Sequence, residues 1–394
     1  MSEVQYPLVS VIVLSYQNGR YLTRCLDSIM KQDYPAIEII VADDASDDFD
    51  SKAAEATREY IDTHKKKNIK NVQILTAQKN LGTVKNLRKA LAVYQGDYYI
   101  NLGADDLFAY DSVISDYMFT FRMYGYEPLI VCAQCAKTDS ELNVTGYHMT
   151  FRDKLDLLSR DAKRLFSRLS HRCLLISLSS CYRRDFGREV DAYDTAYKYS
   201  EDMHTFQRMA RKGIVPVYMD KCTVLHVEGG IANNSGDYPI EVVEQFYKDK
   251  QLMFKREILP YLDELLPEDK KAFLERLQWE QRSLTKLRLL ALRKLSFLKI
   301  LAFIVRRPDF LFDLGREVVR YSLTKNLLLF PNISATKIYV ALVAMLAALF
   351  VLSTDIKSLE RLFKESLYLG IFVLMAGCVF IHVRKLIRCI RDGG

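Results

Sequence analysis

Residues 7–48 read PLVSVIVLSYQNGRYLTRCLDSIMKQDYPAIEIIVADDASDD. The run LVSVIVL (8–14) is apolar without a break and rich in β-branched residues, the pattern of a strand covered on both faces in a parallel sheet. Ser15 to Gly19 interrupt it, and from Tyr21 to Met30 the apolar residues Leu22, Leu26, Ile29 and Met30 recur at helical spacing. IEIIVA (37–42) is a second buried strand and ends on Asp43-Asp44. The alternation continues with a helical stretch around 51–63, a strand at 72–75, a helix at 83–94 and the strand YYINL (98–102), which leads to a second acidic pair, Asp105-Asp106. This predicts an α/β fold with a doubly wound, Rossmann-like, mostly parallel sheet flanked by helices. Ligands of such sheets bind beyond the carboxyl ends of the strands, where both pairs fall. Carboxylate pairs there are costly unless a cation, a ribose or a base amide meets them.

Further along, a strand is expected at 129–134, a helix at 202–212 running into Gly213, and a strand around 214–218. Residues 240–330 read as helical, with breaks at Pro260 and Pro267. Within them, LTKLRLLALRKLSFLKILAFI (284–304) alternates basic residues with a dense apolar set and has no acid. It reads as an amphipathic segment on an anionic membrane surface, or else as a helix packed on the preceding domain. Two apolar runs, 338–352 and 367–383, contain no Asp, Glu, Lys or Arg. They are short for spanning helices, but Lys337, Arg384, Lys385, Arg388 and Arg391 flank them and can snorkel. The basic outer flanks predict a hairpin with both ends in the cytosol; a buried or re-entrant helical pair is the alternative. The expected division is a first domain over 1–235, a helical region over 236–330, and a membrane hairpin with a basic tail over 331–394.

The chain has 394 residues, a net charge of +7 and 49% hydrophobic residues, an ordinary folded composition whose charge points to no nucleic-acid partner. MSEVQYPLVS has no basic segment followed by an apolar stretch, so no leader is expected, and the 8 cysteines read as reduced thiols. Cys132 and Cys135 form a lone CxxC in a strand-like setting, which predicts buried packing rather than a metal site.

The block over 7–48 closely resembles the start of the family 2 glycosyltransferases, which have the GT-A fold. Ser28 and Gln32 fill the family's cLxSlxxQ helix pattern, and Asp43, Asp44, Ser46 and Asp47 its DDGSxD pattern. The resemblance covers about residues 7–235. It implies that Asp44 accepts the imide N–H of a pyrimidine base, with Ser15 and Tyr16 bordering that base; a helix-capping role for the aspartates is the alternative. KNLGTVKN (79–86) resembles the family's NxG...RN element, which places Lys85 near the nucleotide or on a solvated helix face. Asp105-Asp106 resembles the metal-binding DxD element, which implies Mg²⁺ or Mn²⁺ on Asp106 and a ribose contact from Asp105. Many members read LDxDD there; this chain has Gly103 in place of the first aspartate.

YDTAYKYSED (193–202) resembles the family's FDE...ED element. By that likeness Asp202 is the general base that takes the acceptor's proton, Glu201 orients the acceptor or a neighbour, and Ser200 to Asp202 also suit a helix N-cap. QRMAR (207–211) lacks the tryptophan of processive synthases, so the chain reads as non-processive. His226, in LHVEGGIANNS, resembles a histidine that lies near the diphosphate or metal in relatives. The implied activity is inverting, metal-dependent transfer of a sugar from a nucleoside diphosphate sugar, UDP-sugar favoured, to a hydroxyl of a lipid-linked or other glycan acceptor. The expected place is the cytosolic face of a plasma or inner membrane, in contact with its lipids. Two alternatives stand beside it: a polyprenyl-phosphate glycosyltransferase, against which GADDLFAYD argues, and a catalytically decayed sugar-nucleotide binding protein.

Overall fold

The computed structural model describes residues 6–227 and 240–277. The segments 284–304, 338–352 and 367–383, the Gly229-Gly230 pair and Asn233-Asn234 lie outside the described residues. Among the described residues no helix is long and apolar enough to cross a membrane.

The amino-terminal half alternates β1 (Val9–Ser15), α1 (Gly19–Met30), β2 (Ile37–Asp43), α2 (Ser51–His64), β3 (Ile69–Thr76), α3 (Thr83–Leu91) and β4 (Tyr98–Gly103). The four strands are parallel in the order β3-β2-β1-β4. Side chains of a strand alternate between faces, and here both faces are covered. Val9, Val11 and Val13 face one apolar layer and Ile12 the other; Tyr98, Ile100 and Leu102 oppose Tyr99 in the same way. That is why these strands are continuous apolar runs, each buried Ile or Val contributing about 1.5–3 kcal/mol.

β5 (Leu107–Phe108), α4 (Val113–Met123), β6 (Ile130–Thr138), β7 (Val144–Tyr147), α5 (Phe151–Leu158), α6 (Ala162–Leu169), β8 (Ser180–Arg183), α7 (Phe186–Val190), α8 (Met203–Arg211), β9 (Val217–Val227) and α9 (Ile240–Met253) follow. The sheet is mixed rather than mostly parallel: β8 runs antiparallel to β4 and to β6, β5 to β9, and β7 to β6, while β6 and β9 are parallel. The strand expected at 214–218 begins only at Val217, because Pro216 has no N–H for the ladder, and then runs on to Val227. Gly213 ends α8 at φ +77°, a left-handed position that a side chain would strain. Cys132 and Cys135 are free and buried, and three positions apart on β6 they face opposite layers.

Residues 241–277 belong to the same compact unit as the sheet. Met253, Phe254, Ile258, Leu265 and Phe273 join the layer built by α3, α6 and α8. Buried ion pairs tie the seam: Arg168 on α6 reaches Asp153, Asp156 and Asp269, and Arg211 on α8 reaches Glu257 at 2.6 Å.

Candidate active site

Strand register assembles the first half of the site. Ser15 pairs with Asp43 and Leu14 with Gly103, so the two acidic pairs follow adjacent carboxyl ends on either side of β1. Asp43 is turned inward: its oxygens accept the Ser46 N–H at 2.8 Å and the Ser46 hydroxyl at 2.6 Å, closing a turn in which Ala45 takes φ +65°. Asp44 accepts the N–H groups of Leu81 and Gly82 at 2.8 and 2.7 Å, one on each oxygen. Neither aspartate caps α2, whose N-cap is Asp50. Burial pushes the Asp44 carboxyl up, opposed by the two amide bonds. The Ser15 hydroxyl is buried and has no protein partner, Tyr16 is exposed, and Lys85 lies exposed on α3.

Gly82 sits at φ +87°, and a Cβ there would lie 2.7 Å from the Lys198 carbonyl oxygen. That glycine lets the 81–84 turn pack against the chain just ahead of Glu201 and Asp202, where the Val84 N–H donates to the Lys198 carbonyl at 3.1 Å. Asn86 fixes the turn from the other side by donating to the Ala42 carbonyl at 2.8 Å.

The second acidic pair lies between β4 and β5. Asp106 is buried, accepts the Gly103 N–H at 3.2 Å, and its Oδ1 lies 2.8 Å from His226 Nδ1 on β9. Burial first, then the charge of Asp106, pushes the Asp105 carboxyl up to about 6. A Cβ on Gly103 would lie 2.7 Å from Asp105 Oδ1 and 2.7 Å from Asp106 Oδ2. Both carboxylates therefore converge over the bare Cα of Gly103. A cation of the Mg²⁺ type is commonly held by one or two carboxylates plus substrate phosphates, and this pair fits that mode. Among the described residues no cluster of three or more His, Cys, Asp or Glu side chains is arranged to hold a metal alone.

Ser28 and Gln32, quoted in the sequence only as motif positions, position this segment. The Ser28 hydroxyl accepts the Phe108 N–H at 3.2 Å. Gln32 donates to the Tyr110 carbonyl at 2.8 Å and accepts the Ile114 N–H at 3.1 Å. The side chains of α1 thus hold the chain that leaves Asp105-Asp106.

The third acidic pair opens α8. Asp202 is the N-cap residue, yet its side chain makes no capping bond. Burial pushes its carboxyl up to about 6 against the pull of the amides of Met203 and Asp202. Glu201 accepts the Ser177 hydroxyl at 3.0 Å, and burial, then the charge of Asp202, pushes it up to about 8. In QRMAR, Arg208 pairs with Asp194 at 2.9 Å and Glu257 at 2.8 Å, and Gln207 is buried, so this stretch is packed inside.

The family model "Glycosyl transferase family 2" matches residues 10–186. An uncharacterized glycosyltransferase of Haemophilus influenzae is 26% identical over 231 residues, which is 57% of this chain and 66% of that protein. A dolichyl N-acetyl-α-D-glucosaminyl phosphate 3-β-D-2,3-diacetamido-2,3-dideoxy-β-D-glucuronosyltransferase of Methanococcus voltae is 30% identical over 99 residues, 24% of this chain and 28% of that one. The chain thus spans two thirds or less of these relatives. The crystal structure of Staphylococcus aureus TarS 1-349 superposes with a TM-score of 0.49 at 18% identity, over 79% of this chain and 82% of that chain.

Proposed function

We propose that this chain, whose residues 10–186 match the family 2 glycosyltransferase model, transfers a sugar from a nucleoside diphosphate donor to an acceptor hydroxyl with inversion at the anomeric carbon. The observation that carries the reading is the adjacent Glu201 and Asp202 at the start of α8, where the Asp202 side chain makes no capping bond and Glu201 accepts the Ser177 hydroxyl at 3.0 Å. Burial raises both carboxyls, and the charge of Asp202 raises Glu201 further, which favours a proton on Glu201 and a carboxylate at Asp202. A neutral Glu201 spares Asp202 the repulsion of a like charge. Asp202 then takes the proton of the acceptor hydroxyl, whose oxygen bonds to the anomeric carbon on the face opposite the departing diphosphate. The nucleoside diphosphate leaves with the electron pair of the broken bond.

Asp44, Ser15 and Tyr16 border the base, with UDP favoured because a fixed carboxylate matches the imide N–H of uracil; Lys85 approaches the phosphates and Asp105 the ribose. Asp106, with His226 bonded beside it, would hold Mg²⁺ or Mn²⁺, which when bound with the diphosphate supplies charge neutralisation for the leaving group.

The acceptor we favour is a lipid-linked glycan at the cytosolic membrane face. Two things support it: the basic apolar sequence of 284–304 with the runs 338–352 and 367–383, and the name of the Methanococcus voltae relative, which describes a dolichyl phosphate-linked sugar. Contact of these segments with membrane lipids, as their sequence suggests, belongs to the same proposal. The deciding experiment is Asp202→Asn in the full-length protein. Transfer or donor hydrolysis in Mn²⁺ should fall about 10²–10⁴-fold with UDP-sugar binding retained. Wild-type turnover in that variant would sink the assignment.

A further inference from the structure

We infer that Asp249, on α9 and beyond the residues the family model matches, is a positioning residue that holds the backbone of residues 198–200 and, through it, the Glu201-Asp202 pair. Asp249 is 1% exposed. Its Oδ2 accepts three consecutive backbone N–H groups, those of Lys198 at 2.9 Å, Tyr199 at 2.6 Å and Ser200 at 3.3 Å. Its Oδ1 accepts the Gln245 amide at 2.9 Å, one turn earlier on the same helix. Three successive amides aimed at one point form a nest for an anion, and a carboxylate fills it from within the fold.

The held loop touches both halves of the site. Upstream, the Lys198 carbonyl accepts the Val84 N–H, and Gly82 leaves room for Lys198 beside the turn that binds Asp44. Downstream, the Ser200 carbonyl bonds His204 Nδ1 at 2.8 Å, and the His204 ring stacks on Tyr197 at 4.1 Å between centroids. Residues 197–204 are thereby braced as one rigid piece. Glu201 and Asp202 lie within it, and Asp249 ties it to α9. Without the carboxylate, three neighbouring amides, that of Ser200 buried, lose their shared acceptor, and the loop shifts to find others. A shift of about 1 Å is enough to cost a reacting geometry about 10²-fold.

This inference rests on the glycosyltransferase reading, and its test separates the two. The probes are UDP-N-acetylglucosamine and GDP-mannose, with Mn²⁺ and the full-length protein. Asp249→Ala should lower kcat at least tenfold with donor KM within about threefold, and Asp249→Asn, whose amide oxygen still accepts, should recover most of the loss. In an Asp202→Asn background, Asp249→Ala should add little, because it acts through the same pair. Hydrogen exchange at amides 198–200 should quicken in the alanine variant and return toward the wild-type rate in the asparagine variant. Wild-type kcat in Asp249→Ala, independent losses in the double variant, or unchanged exchange at 198–200 would each overturn the positioning role. If wild-type protein turns over neither probe, the functional reading fails, and the exchange measurement alone decides whether Asp249 holds the loop.

Discussion

His226 Nδ1 lies 2.8 Å from Asp106 Oδ1, a contact across 120 residues of chain that joins β9 to the turn after β4. The ring fixes which way Asp106 points. His226→Ala should therefore raise the Mn²⁺ concentration for half-maximal donor hydrolysis about 10–100-fold, the usual cost of losing a residue that orients a ligand. Electron paramagnetic resonance of Mn²⁺ in the presence of UDP reads the same change without turnover. Equal Mn²⁺ affinity in the variant would remove His226 from the site.

The Glu201-Asp202 pair makes activity and stability respond to pH in opposite directions. Turnover should fall with one-proton steepness as pH drops through about 6, where Asp202 takes up its proton. Between Glu201's ordinary value of 4.5 and its folded value of about 8, the folded chain keeps a proton that the unfolded chain releases. Stability contributed at this position is therefore lost as pH rises across that window. Glu201→Gln removes the titration, so its melting temperature should exceed the wild-type value at pH 8.5 by more than at pH 5. Parallel melting curves across that range would contradict the assignment.

Gly103 stands where many family members carry an aspartate, and both neighbouring carboxylates fold over it at 2.7 Å from the place a Cβ would take. Gly103→Ala should displace Asp105 and Asp106 together and lower Mn²⁺-dependent turnover at least tenfold. Gly103→Asp should not act as a gain of a metal ligand. A more active Gly103→Asp protein would show that the carboxylates rearrange freely.

A fragment ending at residue 235 should not fold as the full chain does. It lacks Met253, Phe254, Ile258, Leu265 and Phe273, and it leaves Arg208 and Arg211 without Glu257. Breaking one such buried pair costs roughly 3–5 kcal/mol, a large part of the roughly 5–15 kcal/mol that keeps a domain folded. Circular dichroism of fragments 1–235 and 1–277 tests this: the shorter should melt far lower or aggregate. Equal melting temperatures would show the seam to be dispensable.

The amino-terminal half was legible because its strands are buried on both faces. The runs 8–14, 37–42 and 98–102 match β1, β2 and β4 to within a residue or two at each end. Strand direction was not legible. β8 has only Ser180–Arg183, and nothing in four residues tells a chain to pair antiparallel with both β4 and β6. The stretch 135–200 escaped reading because its helices bury charge. Asp153 and Asp156 face inward on α5, matched by Arg168 and Arg172, so the apolar periodicity is broken on the very face that packs. At the site, the motifs named the acidic residues but not their supports. Asp44 meets Leu81 and Gly82, and Asp249 meets residues 198–200, across separations that no local pattern encodes.

Gly103 also decides what the two carboxylates rest on. With two carboxylates resting over residue 103, an aspartate there meets occupied space, so the side chains of 105 and 106 must turn aside to admit it. The bare Cα of residue 103 is thus the floor on which the two carboxylates rest, and any side chain there takes their place before it can add to them.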